Sequence, residues 1–408
     1  MASPSDPAVA VTDSKVGAKP DGSRSVERIS VAVLATAAAM ADLKGEWCEL
    51  FEHSFAATPF QSWAWLYSWW EHYEAGRELR LIAVRQCELL VGLMPLMLER
   101  SFGFGRLLFI GTGITDHLDI LVRDGYRDCV IDAVVDALSY MKSWQFIDLH
   151  QLRPEAAAWG LALKWSGPKL TIWEDDFPII EARPLDQILP LLSQNHRSTI
   201  RRTLRRAEKD GVESKLASSC EAEQAGRRLV VLHREMWEGR PIAPEHMTMR
   251  FLEHLATAAE RLTAAGLGGV SEFRRGGRVI ISSLLVFGRG YVGTCLQGAS
   301  RDAVSQYQIG SLYICDALKR ASERRLAHVS LLRGAEPYKL RWKPMIVPNR
   351  QLILGRSHFT WAPYSGYRFL YSKSKRFAHS DKSPRWGKCL ANVYRKLARG
   401  YRSDKRLS

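Results

Sequence analysis

A short stretch near the end of the chain gathers residue types that could move protons and bind anions. In the run HVSLLRGAEPYKLRWKP, residues 328–344, a short apolar strand is followed by Glu336, Tyr338, Lys339 and Arg341. Open α/β sheets hold their ligands at the carboxyl ends of strands, so this position suits a reaction site. Glu336 could accept a proton as a base, Tyr338 could return one as an acid, and the two cations could bind anionic parts of a substrate. A surface ion pair of Glu336 with Lys339 or Arg341 is the structural alternative.

The residues before this strand predict a site for an anionic group. Residues 306–311 form a predicted turn in which Gly310 lets backbone N–H groups face a ligand, and an amphipathic helix follows over residues 312–325. The positive end of a helix beside a glycine-containing turn attracts anions. Tyr307, which lies in this turn, is a second candidate for the acid.

A second cluster, TDHLD, sets His117 between Asp116 and Asp119 at the start of a predicted strand. Neighbouring carboxylates raise the pKa of a histidine, so His117 could serve as a base, assisted by Asp116. The structural alternative is loop capping by Asp116 with His117 exposed to solvent. The sequence leaves both interpretations open.

A strongly basic helix separates two parts of the chain that resemble each other in element order. It is predicted within SQNHRSTIRRTLRRAEKDGVES, residues 193–214, and ends at Gly211. Arg197, Arg201 and Arg205 fall on one stripe of this helix. Such a face is either a solvated basic surface or a binding surface for a diphosphate or an acidic glycan.

Composition and charge set the outer limits. A chain of 408 residues with 46% apolar residues has material for two packed domains. Its 7 cysteines occur singly, without the spacing of a zinc site, which predicts a reduced, cytoplasmic protein without a metal. Residues 356–408 hold 14 Lys and Arg against 2 Asp and Glu, so this tail carries most of the net charge of +15. The tail could touch an anionic membrane or nucleic acid, or be a helical extension with a solvated basic face.

The order of predicted elements repeats along the chain. In each half a meander of strands leads to a helix and then to a further strand, which predicts an α/β (α+β) fold of two tandem units, each with a mixed, largely antiparallel sheet. A helix over residues 37–55, a tryptophan-rich helix capped by Ser62 and a strand LDILV are predicted in the first unit. The tryptophans are interpreted as core. The predicted regions are a disordered leader (1–27), an N-terminal unit (28–185), a C-terminal unit (186–355) and a basic tail (356–408).

Several common catalytic motifs are absent from the sequence. It contains no GxSxG elbow, no HExxH, no GxxxxGK[ST] and no GxGxxG after a strand, and GFGR at residues 103–106 is a predicted hairpin turn. Hydrolases, nucleotide triphosphatases and dinucleotide oxidoreductases are therefore disfavoured.

Five segments, taken in order, resemble a known family. They are FQSWAWLYSWWEHY, LIAVRQCELLVGLMPL, IGTGITDHLDILV, HRSTIRRTLRRAEKDGVES and LLRGAEPYKLRW. Over about residues 28–350 the set resembles the GNAT-like acetyltransferases of cellulose and exopolysaccharide gene sets, the CelD-like or BioF2-like family. The basic helix also resembles a helix of the FemABX aminoacyltransferases.

The resemblance implies a tandem GNAT fold whose second unit binds acetyl-CoA or another acyl-CoA as co-substrate. It implies that the strand YVGTCLQGAS offers a backbone amide to the thioester carbonyl near Gln297, Gly298 and Ala299. It also implies that a turn holds the pyrophosphate, here with Gln306, Gln308, Ile309, Gly310, Ser311 and Leu312. The family turn is Q/R-x-x-G-x-G/A, and this chain departs from it with QYQIGS, in which Ser311 replaces the second glycine.

Three functions remain open from the sequence. The first is an acyl-CoA-dependent transferase acting on a sugar or glycan-precursor acceptor, located in the cytoplasm and peripheral to the inner membrane. The second is a FemABX-like aminoacyltransferase that uses charged tRNA. The third is a binding protein that keeps the fold without catalysis. The acceptor, the acyl chain and the oligomeric state are not specified by the sequence.

Overall fold

The structure is a computed structural model that describes residues 28–101 and 104–378. The predicted leader, residues 1–27, part of the predicted turn at 103–106, and residues 379–408 of the basic tail lie outside the described residues. None of the helices within the described ranges is long and apolar enough to cross a membrane.

The strands of the described chain form one mixed sheet. In chain order they are β1 (Ile29–Leu34), β2 (Arg77–Gln86), β3 (Leu89–Ser101), β4 (Phe104–Phe109), β5 (Leu121–Val122), β6 (Phe146–Leu152), β7 (Lys169–Glu181), β8 (Glu213–Leu216), β9 (Gly268–Arg275), β10 (Arg278–Gly288), β11 (Tyr291–Ala299), β12 (His328–Ser330) and β13 (Met345–Gly355).

Helices connect these strands and pack against the sheet. They are α1 (Ala37–Asp42), α2 (Lys44–Glu52), α3 (Trp63–Tyr73), α4 (Arg127–Tyr140), α5 (Trp159–Lys164), α6 (Leu185–Ile188), α7 (Gln194–Lys209), α8 (Ala222–Met236), α9 (Met249–Ala264), α10 (Arg301–Gln306), α11 (Ile309–Glu323), α12 (Pro337–Leu340) and α13 (His358–Ala378). Short 3-10 turns lie at Pro59–Gln61, Leu189–Leu191 and Pro244–Met247.

The strand order shows the repeat directly. It is β1-β2-β3-β4-β6-β13-β7-β12-β11-β10-β9-β8, with β5 beside β3. In the first half the antiparallel strands β2, β3 and β4 lead through α4 to β6, which is parallel to β4. In the second half β9, β10 and β11 lead through α11 to β12, which is parallel to β11. The prediction of two tandem α/β units is confirmed.

The two central strands are exchanged between the halves. Strand β7, from the first half, pairs with β12 of the second half, while β13, the last strand of the described residues, pairs with β6 of the first half. β7 and β13 also pair with each other along nearly their whole length. The predicted boundary at residue 185 falls at the start of α6, but each half supplies a strand that the other half needs.

The tryptophan-rich helix packs in the core, as predicted. Ser62 caps α3 by accepting a hydrogen bond from the Trp65 N–H at 3.2 Å. Trp63, Trp65, Trp69 and Trp70 are all buried. The Trp65 ring meets the imidazole of His254 in α9 edge to face, with 4.9 Å between ring centroids. Helix α3 therefore helps to hold the two halves together.

Three predicted elements differ in the structure. The helix over residues 37–55 is two helices, since α1 ends at Asp42 and α2 begins at Lys44. The strand LDILV keeps only two strand residues, those of β5. The turn at residues 306–311 is wrong, because Ser300 accepts a hydrogen bond from the Ala303 N–H and starts a helix, α10, that the sequence analysis missed. As a result, Gly310 lies inside the first turn of α11.

The last described helix, α13, is fastened to the sheet by a buried charge network. Tyr364 donates a hydrogen bond to Asp148 at 2.5 Å, and Arg368 donates to Gln351 at 2.9 Å. His150 lies 2.5 Å from Glu174 and 3.3 Å from Asp148. Burial opposes a charged imidazole, but the two carboxylates outweigh it and raise the pKa of His150 to about 9.

Candidate functional site

The parallel strands β11 and β12 separate soon after they begin to pair. Their ladder runs only from Tyr291 to Gly293 on β11. Beyond it β11 continues beside β10, while Leu331, which follows β12, donates its N–H to Pro178 of β7. We call the resulting opening, between residues 294–299 and residues 331–334, the strand gap. It lies at the carboxyl ends of two parallel strands, where α/β proteins bind ligands.

A β-bulge interrupts β11 where the strand gap opens. Leu284 pairs with Leu296 and Leu285 pairs with Thr294, so Cys295 is the additional residue of a bulge. Burial, followed by the nearby Asp116 carboxylate, raises the pKa of the Cys295 thiol well above its usual value. The bulge re-aims the backbone at the gap, but its thiol stays protonated and is a poor nucleophile.

Helix α8 lies directly on the backbone of β11. A Cβ atom at Gly298 would come within 2.3 Å of the backbone nitrogen of His233 and 2.7 Å of the backbone oxygen of Leu229. This close approach brings His233 to the strand, where its Nδ1 lies 2.6 Å from the carbonyl oxygen of Gln297. On its other side, His233 Nε2 lies 3.0 Å from His246 Nδ1.

The Gln297 carbonyl points toward the strand gap. The Ser300 N–H bonds to Ile280 of β10 at 2.9 Å, so even-numbered residues here direct their backbone groups to β10. Gln297, an odd-numbered residue, therefore directs its carbonyl to the opposite edge. The imidazole of His233 binds it there.

The other side of the strand gap is formed by Arg333 and a loop of the first half. Arg333 Nε lies 3.1 Å from Asp116 Oδ1 and 3.9 Å from Asp175 Oδ2. Arg333 also donates to the carbonyl of Thr115. Burial raises the pKa of Asp116, although Arg333 and Lys339 act against it. The site is thus assembled from both halves of the chain.

The raised pKa and the solvent exposure predicted for His117 are both wrong, while its catalytic role with Asp116 stays a prediction. His117 is buried, and its Nδ1 lies 3.1 Å from Asn349 Nδ2. Burial, with Arg153 and Arg333 adding to it, holds the pKa of His117 well below its usual value instead of raising it. The flanking carboxylates face other partners, so they do not charge the ring.

Asp119, and not Asp116, is the residue that caps the loop. Its carboxylate accepts hydrogen bonds from the N–H groups of Ala157 at 2.7 Å, Ala158 at 2.9 Å and Ile120 at 2.8 Å. Burial raises the pKa of Asp119 to about 6 against the opposing effect of these bonds. Asp116 is instead the partner of Arg333.

Glu336 and Lys339 form the ion pair that was the structural alternative. Lys339 Nζ lies 2.9 Å from Glu336 Oε2, and it donates to the carbonyls of Arg333 at 2.6 Å and Gly334 at 3.2 Å. Lys339 is buried, and these three oxygens use its three donors. The lysine thus fixes the turn after β12, and substrate binding by it would have to break one of these bonds. A catalytic role of Glu336 stays a prediction.

The first turn of α11 faces Tyr338. A Cβ atom on Gly310 would lie 3.0 Å from Tyr338 Cδ2, so the predicted acid covers the predicted anion-binding glycine. Ser311 and Leu312 are buried, whereas Gln308 is exposed and Ile309 and Gly310 are partly accessible. The Gln306 amide is bonded to Arg275 and Asp302. The accessible part of the predicted turn is therefore Gln308 to Gly310.

Tyr307 and the basic helix form a separate part of the surface. The Tyr307 hydroxyl donates to Asp210 at 2.6 Å, just after α7, and Arg206 lies over its ring at 5.7 Å. Helix α7 buries Ile200, Thr203 and Ala207, while Arg201 and Arg205 are exposed and Arg197 is partly so. The exposed basic face is confirmed. Arg341, which is exposed, adds to it near His196, whose pKa it lowers together with burial.

The predicted donor strand reaches the site, but its three named residues differ in position. Gln297 offers its carbonyl to the gap, and its side-chain amide donates to Thr294 at 3.0 Å. Gly298 is covered by α8, and Ala299 packs in an apolar cluster with Tyr307 and Leu312.

Four residues at the strand gap were missed by the sequence analysis as chemical groups: Cys295, Arg333, His233 and His246. The first two lie inside runs that the resemblance had marked, so a search for charged or polar residues there would have found them. The histidines lie 13 residues apart on different elements and match no motif.

Within the described ranges, neither a metal-binding cluster nor a cavity extends the site. Within residues 28–101 and 104–378, no group of three or more His, Cys, Asp and Glu side chains is arranged to hold a metal ion. A cavity of about 400 Å³ is lined by Leu152, Pro154, Trp159, Thr171, Pro348 and Arg350, and none of the predicted site residues borders it.

Comparison with known proteins finds a GNAT-type family match over the part of the chain that contains the strand gap. Residues 194–340 match the family model described as an acetyltransferase (GNAT) domain, a span that runs from α7 to α12. No curated protein sequence matches the chain significantly. The resemblance to the CelD-like family stays a prediction.

Solved structures agree with the whole fold. The FemX structure has 10% identity and a TM-score of 0.54, covering 76% of this chain and 95% of that one. A conserved protein of unknown function from Bacteroides thetaiotaomicron has 11% identity and a TM-score of 0.52, covering 79% and 100%. L-PGS from Bacillus licheniformis has 11% identity and a TM-score of 0.52, covering 80% and 96%. At these identities the likeness concerns the fold alone.

Proposed function

We propose that this protein is an acyl-CoA-dependent N- or O-acyltransferase, with acetyl-CoA as donor and a sugar or amino-sugar acceptor of polysaccharide or cell-envelope biosynthesis. The observation that carries the proposal is the strand gap with its bulge at Cys295, inside the span matched by a GNAT domain. A bulge beside diverging strands leaves backbone groups available to bind the pantetheine arm and the thioester carbonyl.

The diphosphate of the donor would lie at the start of α11. Free N–H groups at a helix N-terminus attract anions, and the accessible Gln308, Ile309 and Gly310 are at that end. The exposed arginines of α7 flank the same region, since Arg206 lies over Tyr307, next to Gln308. Tyr338 would have to turn away from Gly310 to admit the donor.

Isothermal titration with acetyl-CoA tests the proposal. Arg at position 310 would occupy the space of Tyr338 and the donor, so we expect wild-type binding and its loss in Gly310→Arg. Gly366→Arg is the matched control, because it adds the same side chain to α13, where a Cβ atom meets nothing within 4 Å. Both variants are first checked for cooperative unfolding. Absence of binding by the wild type, or equal binding by all three proteins, would refute the acyl-CoA donor.

An aminoacyltransferase using charged tRNA is the second candidate. The exposed arginines of α7, together with Arg341, favour it because they offer a cationic surface to a large polyanion. The fold is also that of FemX. Binding of tRNA at physiological salt, weakened by Arg201→Glu but not by Gly310→Arg, would support this candidate, whereas stabilisation by acetyl-CoA alone would contradict it.

We also propose that α13 contacts an anionic membrane surface. Its outward side exposes Phe359, Phe369 and Leu370, with Phe359 exposed over 91% of its surface, and Lys373 lies 5.4 Å from the Phe369 ring. An apolar face followed by a basic segment is typical of interfacial helices.

Vesicle sedimentation tests the membrane contact. We expect binding to vesicles of phosphatidylcholine with phosphatidylglycerol, and weak binding to phosphatidylcholine alone. Phe359→Ser with Leu370→Ser should abolish binding, whereas Leu163→Ser, at a still more exposed leucine of α5, should not. If the double variant unfolds at a lower temperature and binds as well as the wild type, the face packs within the protein and the proposal is wrong.

A further inference from the structure

We propose that His233 and His246 form the acceptor site of the strand gap, where His246 Nε2 takes the hydrogen of an attacking hydroxyl group. This inference rests on the proposed acyl transfer, and it names the group that receives the proton and the chemical class of the acceptor. It differs from the prediction that Glu336 is the base.

A backbone carbonyl fixes the tautomer of both rings. A carbonyl oxygen only accepts, so His233 Nδ1, at 2.6 Å from the Gln297 oxygen, must carry the hydrogen. A neutral imidazole has one N–H, so His233 Nε2 is an acceptor. His246 Nδ1, at 3.0 Å, must then be the donor of the next bond. His246 Nε2 is left with a free electron pair.

Both rings are neutral at physiological pH. Burial lowers the pKa of His233, and the bond to Gln297 does not offset it. Burial also lowers the pKa of His246 to about 4, with His233, Arg333 and Arg234 acting in the same direction and Glu245 acting against them.

The free nitrogen, His246 Nε2, lies beside the strand gap. His233 binds the edge of β11 that faces the gap, and the second bond of His233, at 3.0 Å, holds the His246 ring beside it. Within the described residues no hydrogen bond to His246 Nε2 is found, and the ring is only partly buried, with Phe251 stacked on it at 4.4 Å. The nitrogen is therefore available to a molecule in the gap.

This arrangement allows acyl transfer with His246 Nε2 as the base. The acceptor oxygen attacks the thioester carbon, the new C–O bond forms, and the C–S bond breaks. The acceptor hydrogen passes to His246 Nε2 and then to the departing CoA thiolate, a stronger base than this imidazole, since a free thiol has a pKa of about 8.5. The products are the acyl ester and CoA thiol, and no further reactant is needed.

The same environment selects the acceptor. An alkyl amino group arrives as an ammonium ion with a pKa of about 10 and has no electron pair for the attack until a base deprotonates it, which an imidazole with a strongly lowered pKa would not do. A hydroxyl group already has a free electron pair and loses its hydrogen only as the C–O bond forms, so a weak base can assist it. The site thus favours a hydroxyl over an amino group, which narrows the proposed N- or O-acyl transfer to O-acyl transfer.

Nitrogen-detected NMR of protein labelled at histidine tests the tautomers without any ligand. Both rings should carry hydrogen on Nδ1 and not on Nε2 between pH 6 and 8.5. In His233→Phe the acceptor for His246 Nδ1–H is gone, so the Nε2–H form of His246 should appear. A charged His246 at pH 7, or an Nε2–H form in the wild type, would overturn the proposal.

Labelling with diethylpyrocarbonate links this result to the donor. The reagent should modify His246, whose Nε2 is free, and spare His254, which is fully buried. Saturating acetyl-CoA should reduce the rate of labelling at His246 at least several-fold. Labelling without protection would refute the acyl-CoA donor but leave the histidine arrangement intact, whereas an unreactive His246 would refute the arrangement itself.

Discussion

Replacement of Gly298 by alanine tests the close contact on which the histidine arrangement depends. The added Cβ would lie 2.3 Å from the backbone nitrogen of His233, and ordinary contacts begin near 3.4 Å. Helix α8 and strand β11 must therefore separate by about 1 Å. Overpacking of this kind costs about 1–3 kcal/mol. Loss of the bond between His233 and Gln297 adds about 1 kcal/mol. The expected decrease in the free energy of unfolding is about 2–4 kcal/mol.

Differential scanning fluorimetry and urea unfolding measure this change. At about 2 °C per kcal/mol for a large chain, Gly298→Ala should lower the Tm by about 4–8 °C. Gly269→Ala is the matched control, because it lies in β9 and its Cβ atom would meet Leu216 at an ordinary 3.4 Å. The control should be neutral or slightly stabilising. Equal Tm values for Gly298→Ala and the wild type would show that α8 does not press on β11 as described.

Two further predictions concern buried charges. Asp119→Ala leaves the N–H groups of Ala157, Ala158 and Ile120 without their acceptor and should destabilise the protein by about 3 kcal/mol or more. The control Asp132→Ala, at an exposed carboxylate, should cost about 0.5 kcal/mol or less. Urea unfolding distinguishes the two variants, and similar costs would contradict the capping role of Asp119. For His150 the folded pKa of about 9 lies above the unfolded value, so its contribution is complete below about pH 6.5 and is lost as pH rises through 9. The Tm should therefore fall over this range by more in the wild type than in His150→Gln, and parallel curves would show that His150 is not charged in the fold.

Much of the fold could be predicted because local signals and the global pattern agree. The strand meander β9–β11 is bounded by glycine turns, and α3 has a serine cap and apolar residues at helical spacing, so the meander and the capped helix were both predicted. The helix α10 was missed because the glycine at position 310 suggested a turn, while the signal that prevailed was the cap at Ser300. The exchange of β7 and β13 could not be predicted, since nothing local in either strand specifies its neighbours.

The site could be predicted only where it follows the chain. The end of β12 and the strand β11 were predicted as site regions and both border the strand gap, because strand ends and their residue types are sequential features. The pairing of Asp116 with Arg333 joins residues more than 200 positions apart, and burial, which reverses the expected pKa shift of His117, is a property of the packed protein. The bond from Gln297 to His233 is likewise a consequence of α8 lying on a glycine.

The exchange of the central strands affects how the chain can fold during synthesis. Strand β6 gains its neighbour β13 only when residues 345–355 have emerged from the ribosome. Until then the first half exposes the unpaired edge of β6, and β7 waits for partners on both sides. A nascent chain that pauses before this point is open to pairing with another copy of itself, in which one molecule's β13 completes the sheet of the next. The residues after β13 include α13, whose buried Arg368 can bind Gln351 only after β13 has taken its place in the sheet.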